Sequence, residues 1–180
     1  MRRFFLTLSL LSAGPLAVAG AQDPPPPPPA RAEDVASVDA IMAAVYDVIS
    51  GPAGQKRDWD RFRSLFIPGA RLIPTARGND GKRRAIVWTV EDYVKNAGSR
   101  LEESGFFERE LGRVQEQYGS VVHLMSSYDS RRTASDPEPF ARGVNSFQLF
   151  NDGSRWYVVT IYWQGETPDV PIPARFLTKK

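Results

Sequence analysis

The sequence predicts an α+β domain, a curved antiparallel sheet wrapped around three helices from the N-terminal half, in the order helix, helix, two strands, helix, four strands. Three observations lead there. Between Gly143 and Glu166, two runs rich in Val, Ile, Phe, Tyr, Trp and Thr flank Asn151-Asp152-Gly153-Ser154, a strong short-range hairpin signal. Both runs are apolar on both faces, and a bare hairpin is marginal in water, so other elements must cover them. Upstream, apolar residues recur at helical spacing in segments closed by Gly51-Pro52, Pro68-Gly69 and Ser104-Gly105.

In chain order, Arg2-Arg3, the apolar run Phe4 to Val18 and Ala19-Gly20-Ala21 read as a secretory signal over residues 1–21. The mature chain is expected to start at Gln22, periplasmic or secreted, by general or twin-arginine export. The apolar run is too short for a span of about 20 residues, so no membrane anchor is expected. Six prolines, Pro24 to Pro29, make residues 22–32 a stiff, disordered tail with no core-forming residues.

Residues 33–167 form the domain, followed by a C-terminal extension at 168–180. Val35, Val38, Ile41, Met42, Val45, Val48 and Ile49 share one face of a helix over 33–50. Asp58 can cap a short second helix carrying Trp59, Phe62, Leu65 and Phe66. Ala70 to Arg77 and Arg84 to Trp88 form a hairpin across Gly78-Asn79-Asp80-Gly81. Thr89 and Asp92 make a capping box opening a third helix with Val90, Tyr93, Val94, Ala97 and Leu101 inward. Phe106 to Gln117 and Val121 to Arg132 are paired strands, and a Pro-containing loop leads into the closing hairpin.

Composition narrows the function. The chain holds 23 basic and 21 acidic residues, but removing Arg2 and Arg3 with the signal leaves 21 against 21. A near-neutral domain gives no support for nucleic acid as a partner. Cysteine is absent and His123 is the single histidine, which leaves no thiolate site and no histidine cluster for a metal. No cofactor motif is present.

The order of elements, the stretch SLFIPGARLIP after the second helix and the closing FQLFNDGSRWYVVTIYW resemble the nuclear transport factor 2-like superfamily, the SnoaL-like group of cone-shaped α+β barrels, over about residues 35–164. The resemblance implies a conical pocket between the concave sheet face and the helices, and a homodimer through the outer sheet face. Its members include isomerases, dehydratases, hydrolases and non-catalytic modules, among which fold does not choose.

With a symmetric Asp152-Gly153 turn, Phe150 would face Arg155. One face of the hairpin would then carry Val144, Ser146, Gln148, Phe150, Tyr157, Val159, Ile161 and Trp163, whereas a three-residue loop with a bulge would shift one strand by a residue and mix the sets. The other would carry Asn145, Phe147, Leu149, Trp156, Val158 and Tyr162. Set against the family's steroid isomerases, the first face looks like the pocket side, joined by Leu124, Ser126 and Tyr128, while the face with Phe147, Trp156 and Tyr162 would meet a partner subunit. Tyr46 looks like the isomerases' tyrosine. The base position falls near Pro74-Thr75 and the acid position on Ser146, neither a carboxylate, which argues against that mechanism.

The leading expectation is therefore a small-molecule-binding domain in which Tyr46, Ser126, Tyr128, Ser146, Gln148 and Trp163 line an apolar cone suited to an uncharged, partly hydrophobic ligand. An enzyme of the isomerase, dehydratase or hydrolase kind is the alternative, with His123 or Asp129 as base and Tyr46 as electrophile. Alternation turns His123 and Asp129 away from the pocket, which favours structural roles for both. A third reading is a non-catalytic dimerisation or assembly module.

Overall fold

A computed structural model describes Pro26 and residues 28–178. The signal reading of residues 1–21 lies outside the described residues, as do Pro24, Pro25 and Pro27 of the proline tract. Among the described residues, no helix is long and apolar enough to cross a membrane.

The first helical region is interrupted. α1 (Ala32–Val35) gives way to α2 (Val38–Val48) because Ser37 adopts an extended backbone, and its hydroxyl accepts the Ala40 amide at 3.0 Å. The single helix expected over 33–50 is thus split by a serine that caps better than it propagates. α3 (Trp59–Ser64) starts at Asp58, whose carboxylate accepts from Arg61 N at 2.9 Å. β1 (Phe66–Arg77) and β2 (Arg83–Ala85) form the short hairpin. α4 (Val90–Ser104) opens on the Thr89–Asp92 capping box, and β3 (Phe107–Tyr118), β4 (Val121–Arg131), β5 (Ala141–Asn151) and β6 (Trp156–Gly165) follow.

The six strands make one curved, unclosed sheet in the order β2-β1-β6-β5-β4-β3. All neighbours are antiparallel except β1 and β6, which run parallel with a shift between Phe66 and Arg71. The helices cover the concave face. Ile41, Met42, Val45, Phe62, Leu65, Phe66, Leu72, Leu124, Phe147, Leu149 and Val158 are buried between the layers.

Two features of β5 and β6 depart from a symmetric hairpin. The loop spans four residues, since Asn151 faces Trp156 and Phe150 faces Tyr157; Asp152 holds it by accepting the amides of Ser154 and Arg155 at 2.8 and 2.9 Å. Further in, Leu149 faces Val158 and Gln148 faces Thr160, leaving Val159 as an extra bulge residue. The bulge exchanges the faces of one strand relative to the other. Asn145, Phe147 and Leu149 therefore share the concave side with Val158, Ile161 and Trp163, while Ser146, Gln148 and Tyr162 face outward.

The C-terminal extension returns to the convex side. A 3₁₀ turn (Ala174–Phe176) buries Phe176, and the Ser127 hydroxyl donates to its carbonyl at 2.6 Å. Gly112 permits the approach, since a Cβ there would meet the Leu177 carbonyl carbon at 2.4 Å.

Candidate functional site

Between the concave sheet face, α2 and α4 lies a cavity of about 280 Å³. One wall is aromatic: Trp88 and Tyr93 meet edge to face at 6.4 Å, as do Tyr93 and Trp163. At the mouth, Phe106 and Phe140 make a third such pair at 6.2 Å, and Arg100 stands exposed on α4. Polar groups enter from the strands: Tyr128 and Ser130 from β4, Asn145 from β5 and Glu108 from β3. Gly143 makes room for Tyr128, because a Cβ there would lie 2.5 Å from the phenol oxygen.

Glu108 is the chemically distinctive group. Its Oε2 accepts from the Ser130 hydroxyl at 2.9 Å, and no arginine or lysine among the described residues forms an ion pair with it. Burial pushes its carboxyl up to about 7; hydrogen bonds from Ser130 and Asn145 offset part of that rise, and the nearby Asp129 charge adds to it. It can therefore hold or release a proton near neutrality. Burial likewise pushes the Tyr93 and Tyr128 phenols well above their usual range, so both act as neutral hydroxyls. Neither hydroxyl hydrogen-bonds to another described residue, which leaves both available to a guest.

Tyr46 borders the cavity from α2 but is committed elsewhere. The Asn145 amide donates to its hydroxyl at 3.2 Å. The Tyr46 hydroxyl stands 2.8 Å from the Ser126 hydroxyl, which itself donates to Glu110 at 2.6 Å. With Ser126 donating to Glu110, the proton between the two hydroxyls comes from Tyr46. A phenol with its donor already used is a poor electrophile, and Tyr46 serves to tie α2 to β4 and β5.

Tyr46 and Glu108 also border a wider cleft of about 700 Å³ between α2 and the edge strand β3. Its other carboxylates are neutralised: Asp39 and Glu110 by Arg113, Asp47 by Arg61, and Asp129 by Arg109 and Arg131. Glu108 is thus the carboxyl without an ion pair in both spaces among the described residues, and in the cone it stands among largely apolar walls.

Of the six residues expected to line the cone, Tyr46, Tyr128 and Trp163 do so. Ser126 is on the concave face but fully buried beneath Tyr46. The placement of Ser146 and Gln148 in the pocket is corrected: the Val159 bulge puts both on the convex face, where Ser146 hydrogen-bonds His123 Nε2 at 3.0 Å. His123 thus points away from the cavity and cannot act as a base on a guest there. Asp129, also on the convex side of β4, is gripped by Arg109 at 3.0 Å and Arg131 at 2.9 Å; burial works against its charge, but these arginines hold the carboxyl below the usual carboxylate range. It is an ion-pair anchor, not a free base. Phe147 and Trp156, expected on the partner-facing surface, are core residues. Among the described residues, no group of three or more acidic or histidine side chains is placed to hold a metal ion.

Sequence reasoning missed Glu108, Tyr93, Trp88, Ser130 and Asn145. Tyr93 and Trp88 were legible only as apolar residues near α4. Glu108 alternates with Arg109 and Glu110, which reads as a solvated strand.

No protein-family model and no curated protein sequence matches the chain. Among solved structures, a protein of unknown function with a cystatin-like fold from Nostoc punctiforme aligns over 74% of this chain and 91% of its own, at 12% identity and a TM-score of 0.54. The beta subunit of a putative aromatic-ring-hydroxylating dioxygenase from Novosphingobium aromaticivorans aligns over 80% and 94%, at 18% identity and a TM-score of 0.52. A nuclear transport factor 2-like protein of unknown function from Silicibacter pomeroyi aligns over 73% and 94%, at 11% identity and a TM-score of 0.50. At these identities the likeness is one of fold.

Proposed function

Starting from the nuclear transport factor 2-like, cystatin-like fold of this chain, we propose that it is an exported domain that binds a compact small molecule in the cone. One observation carries the reading: an apolar cavity with an aromatic wall holds two tyrosine hydroxyls, Tyr93 on α4 and Tyr128 on β4, and the Glu108 carboxyl on β3. Among the described residues none of them has a hydroxyl partner or counter-charge of its own, apart from the Ser130 hydroxyl and Asn145 amide on Glu108. Polar groups with spare hydrogen-bonding capacity that converge on a largely apolar cavity are what a small-molecule site presents. The volume of about 280 Å³ suits a small ligand with one or two polar atoms.

Export rests on the N-terminal pattern of Arg2-Arg3, an apolar run and Ala19-Gly20-Ala21. Sequencing the mature N-terminus tests it: Gln22 as first residue supports export, and Met1 refutes it. A homodimer through the convex face is part of the same reading, supported by the exposed Val121 and Tyr162 there.

Binding is tested by a thermal-shift screen of small hydrophobic and amphipathic metabolites against the wild type and an Ala141→Trp variant. Ala141 stands at the mouth, so the larger ring closes the cone from outside. Stabilisation by a ligand in the wild type and none in the variant is expected. Equal shifts in both, or none across the screen, would refute the reading.

A further inference from the structure

We propose that the cone selects an organic cation, a small quaternary or protonated amine, which pairs with the Glu108 carboxylate while its alkyl groups rest on the faces of Trp88, Tyr93 and Trp163. The inference deepens the small-molecule reading and depends on it.

Three features of the lining converge on that ligand class. First, among the described residues Glu108 is the only carboxyl bordering the cavity, and no described cationic side chain forms an ion pair with it. A carboxylate enclosed by protein without a counter-charge is costly, and a guest of positive charge removes that cost. Second, the groups touching it suit the anion: the Ser130 hydroxyl donates at 2.9 Å and the Asn145 amide also stabilises the charged form. Third, one wall is aromatic, with Trp88, Tyr93 and Trp163 in edge-to-face contact beside otherwise largely aliphatic lining, and the quadrupole of such rings attracts cations and repels anions. An uncharged ligand would use the aromatic surface but leave the carboxylate unmatched.

The groups facing Glu108 fix the pH behaviour. From α2 comes Tyr46, from α4 Tyr93 and Arg100, and from β4 Tyr128 and Asp129. The three phenols stay neutral across the working range, and Asp129 stays ionised through its arginines. Arg100 is exposed at the rim, where solvent and salt screen its repulsion of a cation. Glu108 is the one group on this list that titrates near neutrality, at about 7. Binding of a permanent cation should therefore strengthen as pH rises from 6 to 8 and release a proton from the protein.

The probe pair is choline and its neutral carbon isostere, in which carbon replaces the quaternary nitrogen. Titration calorimetry is expected to show choline binding roughly tenfold tighter at pH 8 than at pH 6, the ratio of ionised Glu108 at the two values, while isostere binding does not rise. In Glu108→Gln, choline and isostere should bind alike at both pH values. Should that variant fold poorly, wild-type titrations in two buffers of different ionisation enthalpy measure the same coupling, because choline has no proton of its own to lose. Isostere binding as tight as choline at pH 8, or no proton release on choline binding, overturns the cation proposal while leaving the cone as a ligand site. Loss of binding by both probes overturns the proposal, and a blank result across the thermal-shift screen as well would overturn the ligand site itself.

Discussion

Glu108 departs furthest from its ordinary chemistry, and the departure has a cost for the fold. Its folded value of about 7 stands above the ordinary 4.5, so the native state binds more protons than the unfolded chain between the two. The stability contributed by the protonated form is complete below about 4.5 and is lost as pH rises through about 7. Wild-type stability should therefore fall from pH 5 to pH 8 by roughly 2 kcal/mol on this account. Glu108→Gln should flatten that slope, gaining at pH 8 and showing little change at pH 5. Urea unfolding at both values checks this, and an undiminished slope in the variant would assign the pH dependence elsewhere. The residue was illegible in the sequence for a plain reason. In Phe107-Glu108-Arg109-Glu110, charge on both faces of a strand signals solvent on both faces. Only the order of the sheet, which brings β3 under α2 and beside β4, encloses one of those faces. Tyr46 shows the converse: its identity suggested chemistry, but Ser126 and Asn145 occupy its hydroxyl.

At the level of elements, caps and breakers were readable because they act locally. The Thr89–Asp92 box and the Asp58 cap stand where the sequence puts them. The Val159 bulge was not readable, since nothing in VVTIYW distinguishes a bulged residue from a paired one. It is imposed by fitting β6 between β5 and the parallel β1. That one extra residue moves Ser146 and Gln148 out of the cone and brings Asn145 into it. A second non-local device is Arg57, a buried side chain whose guanidinium donates to the carbonyls of Ile49, Gly51 and Leu101 at 3.0, 2.6 and 3.1 Å, tying the end of α2 to the end of α4. Lysine cannot reproduce that fork. Arg57→Lys should destabilise the domain by about 3 kcal/mol, read as a lower melting temperature, with ligand affinity preserved in the folded fraction. A neutral effect would mean that the fork is dispensable.

Across the whole molecule, the two sides of the sheet have separate tasks. The concave side holds the cone, and the convex side carries the returning C-terminal segment next to an exposed patch including Val121 and Tyr162. A dimer through this face would bury that patch while leaving the cone's mouth open. Light scattering should give twice the monomer mass for the wild type, and Tyr162→Arg should shift it to monomer without altering ligand affinity. A monomeric wild type would remove the dimer from the account. Fold class and element order were legible because they follow from hydrophobic periodicity and turn chemistry along the chain. The site was only half legible, since its polar members are joined by strand register, which a short loop and one bulge decide.

The cone as a ligand site is tested most directly by the four tryptophan indole N–H resonances in a ligand titration followed by NMR. Trp88 and Trp163 border the cavity; Trp59 is not part of its lining and donates to Glu102 of α4 at 2.9 Å, and Trp156 is buried at the opposite end of β6. Saturable shifts confined to Trp88 and Trp163 are the result expected for a molecule seated in the cone. Shifts led by Trp59 or Trp156, or no saturable shift at any indole, would contradict it.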